Sequence, residues 1–260
     1  MNGEFKMSIK VQMQGAVMTL AFDRSDKKNA ITAAMYAALA DALEQAGADA
    51  SVRAVLIHGS QTAFTAGNDL QDFLSNPPQG EASPVFRFLH NISVFTKPLL
   101  AAVNGPAVGI GTTLLLHCDL VYAGESARFA TPFSQLGLCP EAASSLLLPA
   151  VAGYHRAAAM LLFGEAIGPL QARDMGFVNE VLPDDKTIAH ALERAQALAR
   201  LPASSMRVTK RLLKQGQQQA IAQQMQAEGE EFRAMLGSPE AREAFSAFLE
   251  KRKPDFSRFG

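Results

Sequence analysis

Apolar positions change their period several times along the chain, and each change predicts an element. Residues 8–23 alternate at every second position through Met18, Leu20 and Phe22. Gly15 divides the stretch, so it reads as two strands or a hairpin. After the polar turn DRSDKKNA, Thr32 is placed to N-cap a helix running to about Ala46. Ile31 and Tyr36 occupy the two positions of a hydrophobic staple, and Met35, Leu39 and Leu43 recur at helical spacing. RAVLIHG (53–59), with the apolar run AVLI at its centre, reads as a buried strand. A loop and a short helix from about Asp69 follow, then SNPPQGEAS (75–83), a surface loop by composition. Next come a helix near 85–96, the strand PLLAAVN (98–104), a glycine turn, a helix near 110–117 and the strand DLVYAG (119–124). Strands alternating with helices imply an α/β fold.

After Pro183 only the helical period remains, over roughly 184–200, 204–214, 217–236 and 239–252. Pro202 separates the first two, and Gly237, Ser238 and Pro239 supply a stop, an N-cap and a first-turn proline for the last. The expected organisation is an α/β core over 1–200 and an all-helical region over 201–260.

Composition narrows the function. Hydrophobic residues make up 48% of 260, enough for a large core, while charged residues at 19% fall below the roughly 25% usual for soluble domains. The deficit points to extra buried surface, such as a subunit interface. A net charge of -1 without tryptophan lacks the basic, aromatic stripe of a nucleic-acid binder. Met1 to Lys10 has no apolar signal-peptide core. The longest uncharged run, between Lys97 and Asp119, is interrupted by Pro98, Asn104 and Pro106, so no membrane partner is expected. Cys118 and Cys139 have no C-x-x-C partner, and the five histidines form no H-x-x-x-H pair. A metal site is not expected, and free thiols suit a reducing cytoplasm.

Three places invite chemistry. FTAGNDL (64–70) follows a strand and opens a helix at Asp69. It is either an ordinary capped turn or a set of open N–H groups facing an anion or developing oxyanion. VNGPAVGIG (103–111) also leads from a strand into a helix. Its glycines have the wrong spacing for G-x-G-x-x-G, and no P-loop lysine follows, so close helix packing and backbone approach to a ligand both remain open. Glu141 is the only Asp, Glu, Lys or Arg between Arg128 and Arg156. With Pro140 as first helical residue, it reads either as a first-turn carboxylate or as a base in an apolar pocket. Ser144 and Ser145 read as capping or helix contacts, since G-x-S-x-G is absent. Lys210, Arg211, Lys214 and Lys251, Arg252, Lys253 read as solvated helix faces, or as groups meeting phosphates.

In order, DRSDKKNAIT, FTAGNDL, KPLLAAVNGPAVGIG, HCDLVYAGESARFATPFSQLGLCPE and AFLEKRKPDF resemble the crotonase, or enoyl-CoA hydratase/isomerase, superfamily over nearly the whole chain. The resemblance implies a crotonase-like core of stacked ββα turns, a C-terminal helical trimerisation region, and a homotrimer or dimer of trimers. It implies an acyl-CoA thioester as substrate and no separate cofactor, coenzyme A being part of that substrate. It places an oxyanion hole at the N–H groups of Ala66 and Ile110. Ligand contacts fall at Lys28, Ala30, Ala66, Gly67, Asn68, Asp69, Leu70, Gly109 and Phe133, with pocket walls from the 71–95 segment. The two glutamates of hydratases match Thr113 and Phe133 here, which disfavours hydration. TPFSQLGLCPE, AGNDL and NGPAVGI resemble instead the peroxisomal-type Δ3,Δ2-enoyl-CoA isomerases, in which a glutamate at the place of Glu141 is the sole acid/base. The expectation is therefore a 3-enoyl-CoA to trans-2-enoyl-CoA isomerase of fatty acid β-oxidation or a more specialised degradation route. The alternatives are other crotonase-type enolate chemistry and a non-catalytic acyl-CoA-binding subunit.

Overall fold

The structure, a computed structural model, describes residues 8–76, 80 and 82–259. Most of the polar N-terminal stretch lies outside these residues, as do positions 77–79 and 81 of the expected surface loop. The strands are β1 (Ile9–Gln14), β2 (Val17–Phe22), β3 (Ala54–His58), β4 (Leu99–Val103), β5 (Pro106–Val108), β6 (Leu120–Gly124), β7 (Arg128–Ala130) and β8 (Glu180–Leu182). The helices are α1 (Ala33–Ala48), α2 (Leu70–Ser75), α3 (Pro84–Val94), α4 (Ile110–Thr113), α5 (Ser144–Ala152), α6 (Tyr154–Phe163), α7 (Pro169–Met175), α8 (Asp184–Ala199), α9 (Ala203–Lys214), α10 (Gln218–Leu236) and α11 (Pro239–Leu249).

β1 and β2 form the expected antiparallel hairpin, with Ile9 opposite Phe22 and Gln14 opposite Val17. From β2 the main sheet continues in parallel through β3, β4, β6 and β8. The unbroken apolar run of β3 has a direct cause. Val55 and Ile57 enter the cluster built with Leu39 and Leu43 of α1 and Phe88 and Ile92 of α3. Ala54 and Leu56 point the other way, against Ala191 and Ala195 of α8. Both faces are covered, so alternation disappears from the sequence. Leu56 and Ile57 are fully buried, each contributing about 1.5–3 kcal/mol by removal from water.

Thr32 caps α1 by accepting from the Met35 N–H at 3.3 Å. The expected helix over 110–117 is shorter than its pattern: α4 stops at Thr113, and Leu114–His117 winds as a 3-10 turn. The glycine turn after β4 holds a short strand, β5, which pairs in parallel with β7 to make a second small sheet. Three residues is too short for a period to show.

The basic groups on α9 are not a solvated face throughout. Lys210 is buried and donates to the Lys97 carbonyl and to Asp119 Oδ2, both at 2.7 Å. Lys214 donates to the His117 carbonyl at 2.7 Å. These two lysines tie α9 to the segments that flank β4 and β6. Further on, Arg252 pairs with Glu243 and Glu250. α10 packs on α3 and α5, and α11 packs on α10 and on the turn at 134–136.

Candidate active site

The two glycine-bearing loops are stitched side by side. The Phe64 and Thr65 N–H groups donate to the Pro106 carbonyl at 3.2 and 3.0 Å, and Val108 N–H returns a bond to the Thr65 carbonyl at 3.0 Å. Gly109 N–H donates to the Ala130 carbonyl at 2.8 Å, anchoring the second loop on β7. Gly67 has φ +86°, and a Cβ there would stand 2.7 Å from the Val108 carbonyl oxygen. Only glycine allows both that backbone angle and that approach.

This stitching decides which N–H groups stay open. Ala66 N–H, expected as an oxyanion donor, is bonded at 2.9 Å to the Lys28 carbonyl, which the left-handed Lys28–Asn29 turn presents to it. Its donor capacity is used inside the fold. Two residues on, the Asn68 N–H has no protein acceptor among the described residues, and neither does Ile110 N–H in the first turn of α4. Asn68 and Ile110 both line one cavity of about 720 Å³. The Asn68 side chain is fixed from behind by the buried Tyr36, whose hydroxyl donates to Asn68 Oδ1 at 2.6 Å.

Every expected ligand-contact residue lines that cavity: Lys28, Ala30, Ala66, Gly67, Asn68, Asp69, Leu70, Gly109, Ile110 and Phe133. Asp69 is also the cap of α2, accepting from the Gln71 and Asp72 N–H groups at 3.2 Å each, and it pairs with Arg24 at 2.6 Å. Asn29, inside the polar turn DRSDKKNA, was not singled out from sequence, yet it is fully buried. Its amide donates to the carbonyls of Ala63 and Phe64 at 2.9 and 3.1 Å, locking the turn against the first loop. The helical region also supplies cavity wall that the sequence did not announce. Phe232 of α10 and Phe245, Phe248 and Leu249 of α11 line it, and Phe232 and Phe245 pack with Phe133 and Leu138.

Glu141 lines a smaller adjoining cavity with Phe73, Val85, Phe86, Leu89, Met225 and Glu228. Asn68, Phe73 and Phe232 belong to both cavities, so the open amides and the carboxyl stand on either side of a shared wall. The expected 71–95 segment does contribute, through Phe73, Val85, Phe86 and Leu89.

Neither Pro140 nor Glu141 is helical. α5 starts only at Ser144, because Ala142 and Ala143 both adopt left-handed backbone, with φ +59° and +54°. Such a conformation costs a non-glycine residue on the order of 1–2 kcal/mol, and two in succession need outside support. His117 supplies some, its Nε2–H donating to the Ala142 carbonyl at 2.8 Å. Burial holds this imidazole down at about 4, so it acts as a neutral donor. Glu141 itself accepts from the Thr113 hydroxyl. Burial pushes the Glu141 carboxyl up to about 8, with the Thr113 bond opposing and the Glu228 charge adding.

A carboxyl poised near neutrality beside open main-chain donors defines a site for proton transfer next to a carbonyl whose oxygen gains charge. Residues 12–258 match the family described as enoyl-CoA hydratase/isomerase. Enoyl-CoA delta isomerase 2 of Rattus norvegicus is 38% identical over 252 residues, 95% of this chain, which spans 64% of that relative's length. The 2,3-dehydroadipyl-CoA hydratase of Escherichia coli is 36% identical, covering 95% of this chain and 97% of its own. The crystal structure of an enoyl-CoA hydratase/isomerase from Pseudoalteromonas atlantica superposes with a TM-score of 0.92 at 43% identity, covering 96% of this chain and all of that one. The chain therefore belongs to the enoyl-CoA hydratase/isomerase family, and its α/β fold is the crotonase fold.

Proposed function

We propose that the protein shifts the double bond of a 3-enoyl-CoA to give the trans-2-enoyl-CoA, with Glu141 as the single acid/base. The observation that carries this reading is the Glu141 carboxyl, raised to about 8, lining an apolar cavity that adjoins the open Asn68 and Ile110 amides. The thioester oxygen would accept from those two amides. Glu141 would take a proton from C2, leaving an enolate whose charge rests on that oxygen. The same carboxyl would return the proton to C4 as the double bond moves to C2 and the carbonyl re-forms. One proton moves and no electrons are lost, so the step balances within the substrate. Dryness keeps the base strong, and Phe73, Phe86, Leu89 and Phe232 around the carboxyl favour it.

Thr113 and Phe133 stand where a hydratase would carry its two glutamates. Thr113 instead donates to Glu141, and Phe133 packs in the apolar cluster with Leu138 and Phe245. Neither side chain can ionise to activate water. Assembly as a homotrimer or a pair of trimers belongs to the same proposal, supported by the exposed Leu201, Val208, Leu212 and Leu213 on and beside α9. The decisive assay supplies a 3-enoyl-CoA and follows the conjugated 2-enoyl thioester in the ultraviolet. Turnover of that substrate is expected, with hydration of a 2-enoyl-CoA far slower. Hydration at an equal or higher rate would overturn the assignment.

A further inference from the structure

Glu228 stands out as a buried carboxylate that the proton shuttle does not use. It projects from α10, is 5% exposed, and has no basic partner among the described residues. An unpaired buried carboxylate is costly unless hydrogen bonds replace its hydration. Here every contact is a donor. Ala143 N–H gives to Oε2 at 2.6 Å and Ser145 N–H to Oε1 at 3.0 Å, and the Ser145 hydroxyl also donates to Oε1. The direction of that hydroxyl is set by Gln224, whose amide donates to Ser145 Oγ at 2.8 Å. Burial pushes the Glu228 carboxyl above its ordinary value, and the Ser145 and Ala143 donors pull it back toward the charged form.

The donors come from one place. α5 begins after Ala143, which has no side chain to cap it. The first N–H groups of a helix need an acceptor, and negative charge there is favourable. Glu228 provides both from another helix. The capped segment is also the one that strains through Ala142 and Ala143 directly after Glu141, and Glu228 lines the same cavity as Glu141.

We propose that Glu228 is a positioning residue for Glu141: it caps α5 across the cavity wall, holds the left-handed turn from which Glu141 projects, and sets its own carboxylate beside it. This rests on the reading of Glu141 as the acid/base. The other groups around the pair are accounted for. Tyr36 from α1 and Thr113 from α4 face Glu141, and His117 holds the Ala142 carbonyl. Cys139 lies close to both glutamates and within the field of Glu231. None of these is a cation that could neutralise Glu228.

The test compares Glu228→Gln and Glu228→Asp with the parent in the full chain, measuring kcat and KM on a 3-enoyl-CoA from about pH 6 to about pH 10. In Glu228→Gln, kcat is expected to fall about tenfold or more with KM changed less than about threefold, and the acid limb should move to lower pH as the neighbouring charge is lost. Glu228→Asp keeps the carboxylate, so its limb should stay in place while kcat falls. An unmoved limb in Glu228→Gln overturns the proposal even where kcat drops, since a merely structural contact would do that. Should Glu228→Gln fail to fold, Glu228→Asp decides: a parent-level kcat overturns the proposal, and a reduced kcat at unchanged KM and limb supports it. Glu141→Gln, run alongside, separates the two ideas. Full turnover in that variant sinks the acid/base reading itself, whereas unaltered Glu228 variants with a dead Glu141→Gln sink only this inference.

Discussion

The main-chain amides of Asn68 and Ile110 and the side-chain carboxyl of Glu141 share a cavity wall, yet they are held in opposite ways. The amide side is held by main-chain bonds between loops. Short backbone bonds from residues 64, 65, 108 and 109 fix both loops, and glycine at 67 lets them touch. The carboxyl side is held by side chains. Thr113 of α4, His117 beyond it and Glu228 of α10 converge on four residues of irregular chain. A donor made of backbone tolerates exchange of its own side chain but not of the packing beneath it. A carboxyl tuned by burial is sensitive to every group that touches it.

The largest effect should come from the carboxyl side. Glu141→Gln preserves shape and removes the only proposed proton carrier, so kcat should fall by about 10²–10⁴ in the isomerase assay with circular dichroism unchanged. Stability provides a second reading of the same variant. Burial raises the folded-state carboxyl to about 8, so its favourable contribution is full below the unfolded value and is lost as pH rises through about 8. Glu141→Gln should therefore gain melting temperature relative to the parent at about pH 9 more than at about pH 5.

On the amide side, Gly67→Ala should be next. Its Cβ would meet the Val108 carbonyl at 2.7 Å and force φ away from +86°, displacing the Asn68 donor. Loss of one such donor costs about 10²–10³ in kcat, and a lowered melting temperature should accompany it. Asn68→Ala leaves the main-chain amide in place, so a fall in kcat as large as that of Gly67→Ala would break the contrast between the two sides.

The smallest effect sharpens the tuning. The acid limb of kcat/KM in the parent is expected near 8, the value of the free carboxyl. The Thr113 hydroxyl holds that value down, so Thr113→Val should move the limb upward and reduce turnover a few-fold at about pH 7. A limb that moves downward would contradict the hydrogen bond as assigned.

Strand β3, helix α1 with its Thr32 cap, and the Pro239 start of α11 were all legible, because each rests on period, capping or turn chemistry within a few residues. The short strands β5 and β7 were not, since their pairing partner is distant. Lys210 looked like a solvated face from its neighbours, and only the approach of Asp119 explains its burial. At the site, the glycine loops and the isolation of Glu141 among apolar residues could be read directly. Which amide stays open could not, because the carbonyl of Lys28, far back in the chain, takes the one at Ala66.

The chain by itself determined the α/β order, the loops that would carry donors and the carboxyl worth watching, for these follow from residue type and short-range spacing. Tertiary structure alone decided that Asn68 rather than Ala66 offers its N–H, that α5 waits until Ser144, and that Glu228 stands beside Glu141. Hydrogen-bond donors and buried charges are shared between segments far apart in sequence, so their final partners exist only once the chain has packed.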